Sequence, residues 1–92
     1  MNTYSSLAAI NPDIFAYKDG ESYAIQCKRS ASKIGNKAIQ EVYSGKDYYK
    51  KDIGVVITNN DFTAQAISTA KNLNVLLWRG SEIEKLLQTM NR

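Results

Sequence analysis

The sequence predicts an α/β domain built on a mixed, central β-sheet flanked by helices. Three observations carry that prediction. An Asp19-Gly20 pair separates two strand-like runs. Beyond it, short apolar runs alternate with stretches of helical periodicity. No repeat, low-complexity stretch or linker interrupts the 92 residues, a length that supports one modest core. The reading is a single domain over 1–92, with 1–10 a short N-terminal segment and 11–88 the core.

Residues 12–28 read as a β-hairpin. Ile14 to Lys18 and Glu21 to Lys28 flank Asp19-Gly20, a preferred two-residue loop because both central residues of a type I′ turn need positive φ. Pro12 suits a strand start, where no ladder donor is required. Arg29 to Ile34 is a polar connector. From Gly35 to about Lys50 the period turns helical, with Ala38, Val42, Gly45 and Tyr49 on one face. Ile53 to Thr58 is a continuous apolar run rich in β-branched residues, suited to a strand covered on both faces. Asn59-Asn60-Asp61 is a turn. Thr63 to Leu73 is helical, with Ala66, Ile67, Ala70 and Leu73 inward, and Val75 to Trp78 is a short strand. Ser81 and Glu84 form a capping box that opens a last helix bearing Ile83, Leu86, Leu87 and Met90. The order β-β-α-β-α-β-α gives an antiparallel hairpin joined to a parallel section.

Composition removes several function classes. The chain has no histidine and one cysteine, Cys27, so a structural zinc site and any histidine-based triad are excluded. One thiol makes no internal disulfide, the start carries no signal-peptide pattern, and no run approaches the roughly 20 apolar residues of a membrane span. The expectation is a cytoplasmic protein. Net charge is only +3, but Lys28 to Lys51 carries seven basic residues (Lys28, Arg29, Lys33, Lys37, Lys46, Lys50, Lys51) against Glu41 and Asp47. Such a stripe is the usual footprint of a phosphate-bearing partner, and is also what a solvated helix face looks like.

The hairpin turns spacing into geometry. With Asp19-Gly20 as the loop, opposed residue numbers sum to 39, which sets Asp13 across from Gln26. Opposed residues share a face, and Lys28, two residues on, shares it as well. Phe15 and Ala24 lie there too, while Tyr23, Ile25 and Cys27 point to the other side, toward a core. A carboxylate, a carboxamide and an ammonium together fit metal-assisted phosphodiester hydrolysis. Mg²⁺ takes hard oxygens, which Asp13, the Gln26 side chain and the Cys27 backbone carbonyl can supply. Lys28 can orient the attacking water or stabilise charge on the phosphate. Glutamine at a ligand position leaves the site one charge weaker than two carboxylates. The alternative is a turn aspartate beside the solvated face of an edge strand. The helix start at Gly35-Asn36 offers free backbone N–H groups to an anion, with Arg29, Lys33 and Lys37 around it. Its alternative is a lysine-rich solvated helix end.

Ala24-Ile25-Gln26-Cys27-Lys28-Arg29, followed by Ile34-Gly35-Asn36-Lys37-Ala38-Ile39-Gln40-Glu41-Val42-Tyr43, closely resembles the catalytic domain of Mrr-like restriction endonucleases, within the PD-(D/E)xK nuclease superfamily. Val55-Val56-Ile57-Thr58-Asn59 with Phe62-Thr63, and Ala70 to Val75, resemble it also. The resemblance implies a restriction-endonuclease-like three-layer fold and a Mg²⁺-dependent DNA endonuclease, with Mn²⁺ a possible substitute. It sets the motif aspartate on Asp13 and the (D/E)xK motif on Gln26-Cys27-Lys28, in the glutamine form. Arg29, Lys33, Asn36 and Lys37 become DNA contacts, and Gln40 an accessory residue. Related domains begin with a helix before the motif aspartate. Here about ten residues precede Asp13, so that helix is expected to be missing or vestigial. A homodimer that covers the exposed sheet face follows as an expectation, as does a separate recognition domain or partner for sequence-specific cutting. The alternative function is an inactive DNA-binding or assembly module that keeps the nuclease fold.

Overall fold

The structure, a computed structural model, describes residues 14–80. Asp13, the segment before it and the helix expected from Ser81 onward lie outside the described residues.

Four strands and two helices follow in the expected order: β1 (Ile14–Lys18), β2 (Glu21–Lys28), α1 (Asn36–Tyr48), β3 (Ile53–Thr58), α2 (Ala64–Leu73) and β4 (Leu76–Arg79). Asp19 and Gly20 adopt φ of 54° and 82°, the two positive values the turn demands. The antiparallel pairs run from Lys18↔Glu21 to Ile14↔Ile25, each summing to 39. β2, β3 and β4 pair in parallel, and the sheet order is β1-β2-β3-β4. The two parallel connections pass through α1 and α2, as parallel neighbours require.

The central strand β3 is buried on both faces from Gly54 to Thr58, as its unbroken apolar run implied. On one face Val56 packs beneath Ile39, Val42, Phe62, Ala66, Ala70 and Val75, which gathers both described helices over the same side of the sheet. The other face holds Ile25, Val55 and Ile57, flanked by Ala16, Tyr23, Ile53 and Trp78. The described residues thus supply the mixed sheet and one helical layer of the restriction-endonuclease-like arrangement.

Most inward positions match the periodicity, with informative exceptions. α1 buries Ala38, Val42 and Gly45, and adds Ile39, which is wholly enclosed. In α2, Ala66 and Ala70 are buried and Leu73 packs against them, but Ile67 is 44% exposed. The next residue after Ala66 is turned about 100° around the helix axis, and the narrow alanine stripe that meets the sheet does not reach it. Thr63 caps α2 by accepting from the Ala66 N–H at 3.0 Å, and Asn74 closes it at φ 57°, in the left-handed conformation asparagine tolerates. Val75 is buried ahead of β4, so that strand lies one residue later than its apolar pattern suggested. Cys27 is exposed rather than core-facing. It lies beyond Ile14↔Ile25, the last described β1 pair, so no described β1 residue stands beside it, although its β3 partner Ile57 is buried. Among the described residues no helix is long and apolar enough to cross a membrane.

Candidate nucleic-acid and metal site

Ligand sites in parallel α/β sheets gather beyond the carboxyl ends of the strands. β2 and β3 end side by side, with Gln26 paired to Val56 and Lys28 to Thr58. Alternation puts Ala24, Gln26 and Lys28 on the helix-covered face, with Gly54, Val56 and Thr58 beside them. Gln26 is therefore buried, at 8% exposure, and its Oε1 has no hydrogen-bond partner among the described residues. A buried acceptor left unpaired costs about 1–3 kcal/mol, so a sequence selected only for stability would not keep it. Oxygen with no internal partner is what a hard cation or a phosphate-bound water requires. The residues that the structure describes fit a Mg²⁺ site to that extent. Among the described residues no three of His, Cys, Asp and Glu come together.

Lys28 leads from the strand into an open cleft of about 400 Å³ between the connector and α1. Among the described residues its walls carry Lys28, Arg29, Lys33 and Lys37, the helix start at Gly35, and one acid, Glu41. Lys28 Nζ lies 3.4 Å from Glu41 Oε1, with the two side chains 30% and 21% exposed. The cap residue of α1, Gly35, offers no side-chain acceptor and the first turn holds no acid, so the positive end of the helix faces the cleft unneutralised.

The connector that carries Arg29 and Lys33 is stitched to the loop after β3. Ile34 N donates to Asp61 O at 2.8 Å and Thr63 N to Ile34 O at 2.9 Å. Asn59 accepts from Ser30 N at 2.8 Å, and the side-chain amides of Asn59 and Asn60 both donate to Ser30 O. Asp61 holds the far side. The Phe62 N–H, then the Arg79 side chain, keep its carboxyl below the ordinary aspartate range.

Three sequence-derived residues land differently from expectation. Asn36 Oδ1 accepts from Thr69 Oγ1 at 2.6 Å, so this side chain ties α1 to α2 and does not line the cleft. Gln40 is exposed, and the residue that meets the motif lysine is its neighbour Glu41. The Cys27 side chain is exposed between Gln26 and Lys28. Glu41 is the functional candidate that the sequence reading missed. The available signal was helical phase, since Glu41 falls three residues after Ala38 and four before Gly45, both buried. The basic stripe also splits in two. Lys28, Arg29, Lys33 and Lys37 line the cleft, whereas Lys46 and Lys51 lie at the far end of α1 and contact Tyr43, Phe15 and Tyr17.

The restriction endonuclease family model matches residues 9–87, a span that takes in the hairpin, the cleft and all four strands. The chain belongs to the Mrr-like restriction endonuclease family. A solved protein of unknown function, AF1548, is similar to this Mrr-like domain in fold, with a TM-score of 0.69 and 25% identity. The likeness covers 84% of this chain and 47% of the other, so the Mrr-like domain spans about half that protein's length. No curated protein matches this chain. Family membership makes this a nuclease-like restriction endonuclease domain.

Proposed function

We propose that this domain is a divalent-metal-dependent DNA endonuclease whose centre lies at the end of β2. The observation that carries the reading is the buried Gln26 Oε1, without a partner among the described residues, on the same strand face as Lys28, which lines a cleft walled by cations. Asp13, Gln26 and the Cys27 backbone carbonyl would hold Mg²⁺ or Mn²⁺. When bound, the metal polarises a phosphoryl oxygen and lowers the pKa of its water. Lys28 stabilises charge that develops on the scissile phosphate. Arg29, Lys33 and Lys37 hold flanking phosphates without reading sequence, helped by the backbone N–H groups at the start of α1.

Plasmid cleavage in Mg²⁺ or Mn²⁺, with wild type beside Asp13→Ala and Lys28→Ala, tests this. Cleavage by wild type and loss in both variants is the expected result. A second reading, a DNA-binding module that no longer cuts, draws on the glutamine at the ligand position and on the lack of an acidic cluster among the described residues. Retained binding without wild-type cleavage selects it. The proposal extends to a homodimer, supported by Ile14, Phe15 and Tyr17 of β1, which are 48%, 44% and 71% exposed. A monomeric mass by light scattering at micromolar concentration refutes that part.

A further inference from the structure

Glu41 is out of place in a phosphate-binding cleft. Among the described residues it is the one acid on walls that otherwise present Lys28, Arg29, Lys33 and Lys37, and its negative charge opposes an incoming phosphate. Its contact with Lys28 is loose. Charge-assisted N–H···O bonds usually close to about 2.7–2.9 Å, whereas Lys28 Nζ and Glu41 Oε1 stand 3.4 Å apart. Both side chains remain partly open to solvent. An ion pair of this kind adds little to stability, since partly exposed pairs contribute about 0–1 kcal/mol. Glu41 is held on α1 between Ala38 and Val42, which are packed against the sheet, so the carboxylate is anchored while the longer lysine stem can move.

We propose that Glu41 is a positioning residue that parks the Lys28 ammonium on the cleft wall and yields it to the scissile phosphate when DNA enters. The inference rests on the nuclease reading and assigns regulation within that same site. Without DNA, Glu41 keeps Lys28 from swinging toward solvent or crowding the other cations. With DNA, the phosphate displaces the carboxylate as the lysine's partner, and the ammonium arrives already aimed. The arrangement weakens ground-state binding in exchange for correct placement of the charge, so removing Glu41's charge should move affinity and turnover in opposite directions. A merely structural ion pair does not produce that split.

The test is Glu41→Gln, which keeps the shape and a neutral acceptor, beside Glu41→Asp, which keeps the charge. Glu41→Ala serves as a second neutral variant of high helix propensity. Fluorescence anisotropy with a short labelled DNA duplex in EDTA reads affinity without turnover. The neutral variants should bind about two- to tenfold more tightly than wild type at low salt, as expected for removing one like charge at close range. Glu41→Asp should stay within about twofold of wild type in the same comparison. In Mg²⁺, Glu41→Gln should show a lower KM together with a kcat reduced about tenfold or more. Equal or weaker binding by the neutral variants overturns the inference. So does tighter binding shared by Glu41→Asp, or an unchanged kcat where wild type cleaves. If wild type cleaves no DNA while the neutral variants bind more tightly and Glu41→Asp does not, the charge effect stands and the endonuclease reading alone falls.

Discussion

The two ends of α1 use lysine in opposite ways. At its start, the cations of the cleft face open space. Among the described residues Arg29 and Lys37 have no ion pair or ring contact, and Lys28 has only the long bond to Glu41. At its far end the lysines are already engaged. Lys51 donates to the Tyr17 hydroxyl at 2.7 Å and lies 4.7 Å over Phe15, while Lys46 pairs with Asp47 at 2.9 Å and sits 4.9 Å over Tyr43. Asp52 adds to this end, accepting from the Ser22 N–H and hydroxyl. Equal charge around the two ends of one helix therefore does not mean equal function. Charges held by rings and carboxylates stabilise a surface, and charges left without partners around a cleft are available to a ligand.

The contrast is sharpest at Lys28. Lys28→Ala should lower kcat by about 10²- to 10³-fold, the usual cost of losing one group that stabilises transition-state charge. Lys51→Ala, at the opposite end, should leave single-turnover cleavage unchanged, and a comparable loss there would erase the distinction. Next in size is binding. Arg29→Ala with Lys37→Ala should reduce the slope of log affinity against log salt by about 2, since each phosphate contact contributes about 0.9. Lys50→Ala with Lys51→Ala should leave that slope alone, and titrations at several salt concentrations distinguish the pairs. Stability gives a third test. Gln26→Met removes the unpartnered buried oxygen at similar volume and should raise unfolding free energy by about 1 kcal/mol, or a Tm increase of roughly 4–8 °C, while abolishing cleavage. A variant that loses stability would mean that Oε1 is satisfied in solution.

The smallest effect is in acid. The Ser22 N–H and hydroxyl, with Lys46 and Lys51 nearby, hold the Asp52 carboxyl below its ordinary value of 3.8. A group whose folded value is depressed contributes stability above its unfolded pKa and loses it as pH falls through the folded one. Asp52→Asn should therefore shallow the fall of Tm below about pH 4, and leave DNA binding at the other end untouched.

The hairpin was legible because its determinants are local. Asp19-Gly20 defined the turn, the turn defined the register, and the described pairs follow it. β3 was legible from an unbroken apolar run, and α1 from its period. Glu41 was not, because its meeting with Lys28 depends on how residues 29–35 cross from the strand to the helix, and that path is set by bonds to a distant loop. The bond that holds Asn36 was hidden for the same reason. Its partner Thr69 lies 33 positions away on another helix, and a residue at a helix start gives no sign of such a partner. Ile67 counted as inward because its neighbours were, although two alanines sufficed to bring α2 onto the sheet.

The stitching between the connector and the loop after β3 has a kinetic consequence. Ser30 and Ile34 are fixed by bonds to Asn59, Asn60, Asp61 and Thr63 before any ligand is present. A loop already in place has little ordering entropy left to lose on association, and no closing step to wait for. Capture of DNA should then be governed by electrostatic encounter, with a rate that climbs as salt is lowered and shows no saturation at high DNA concentration.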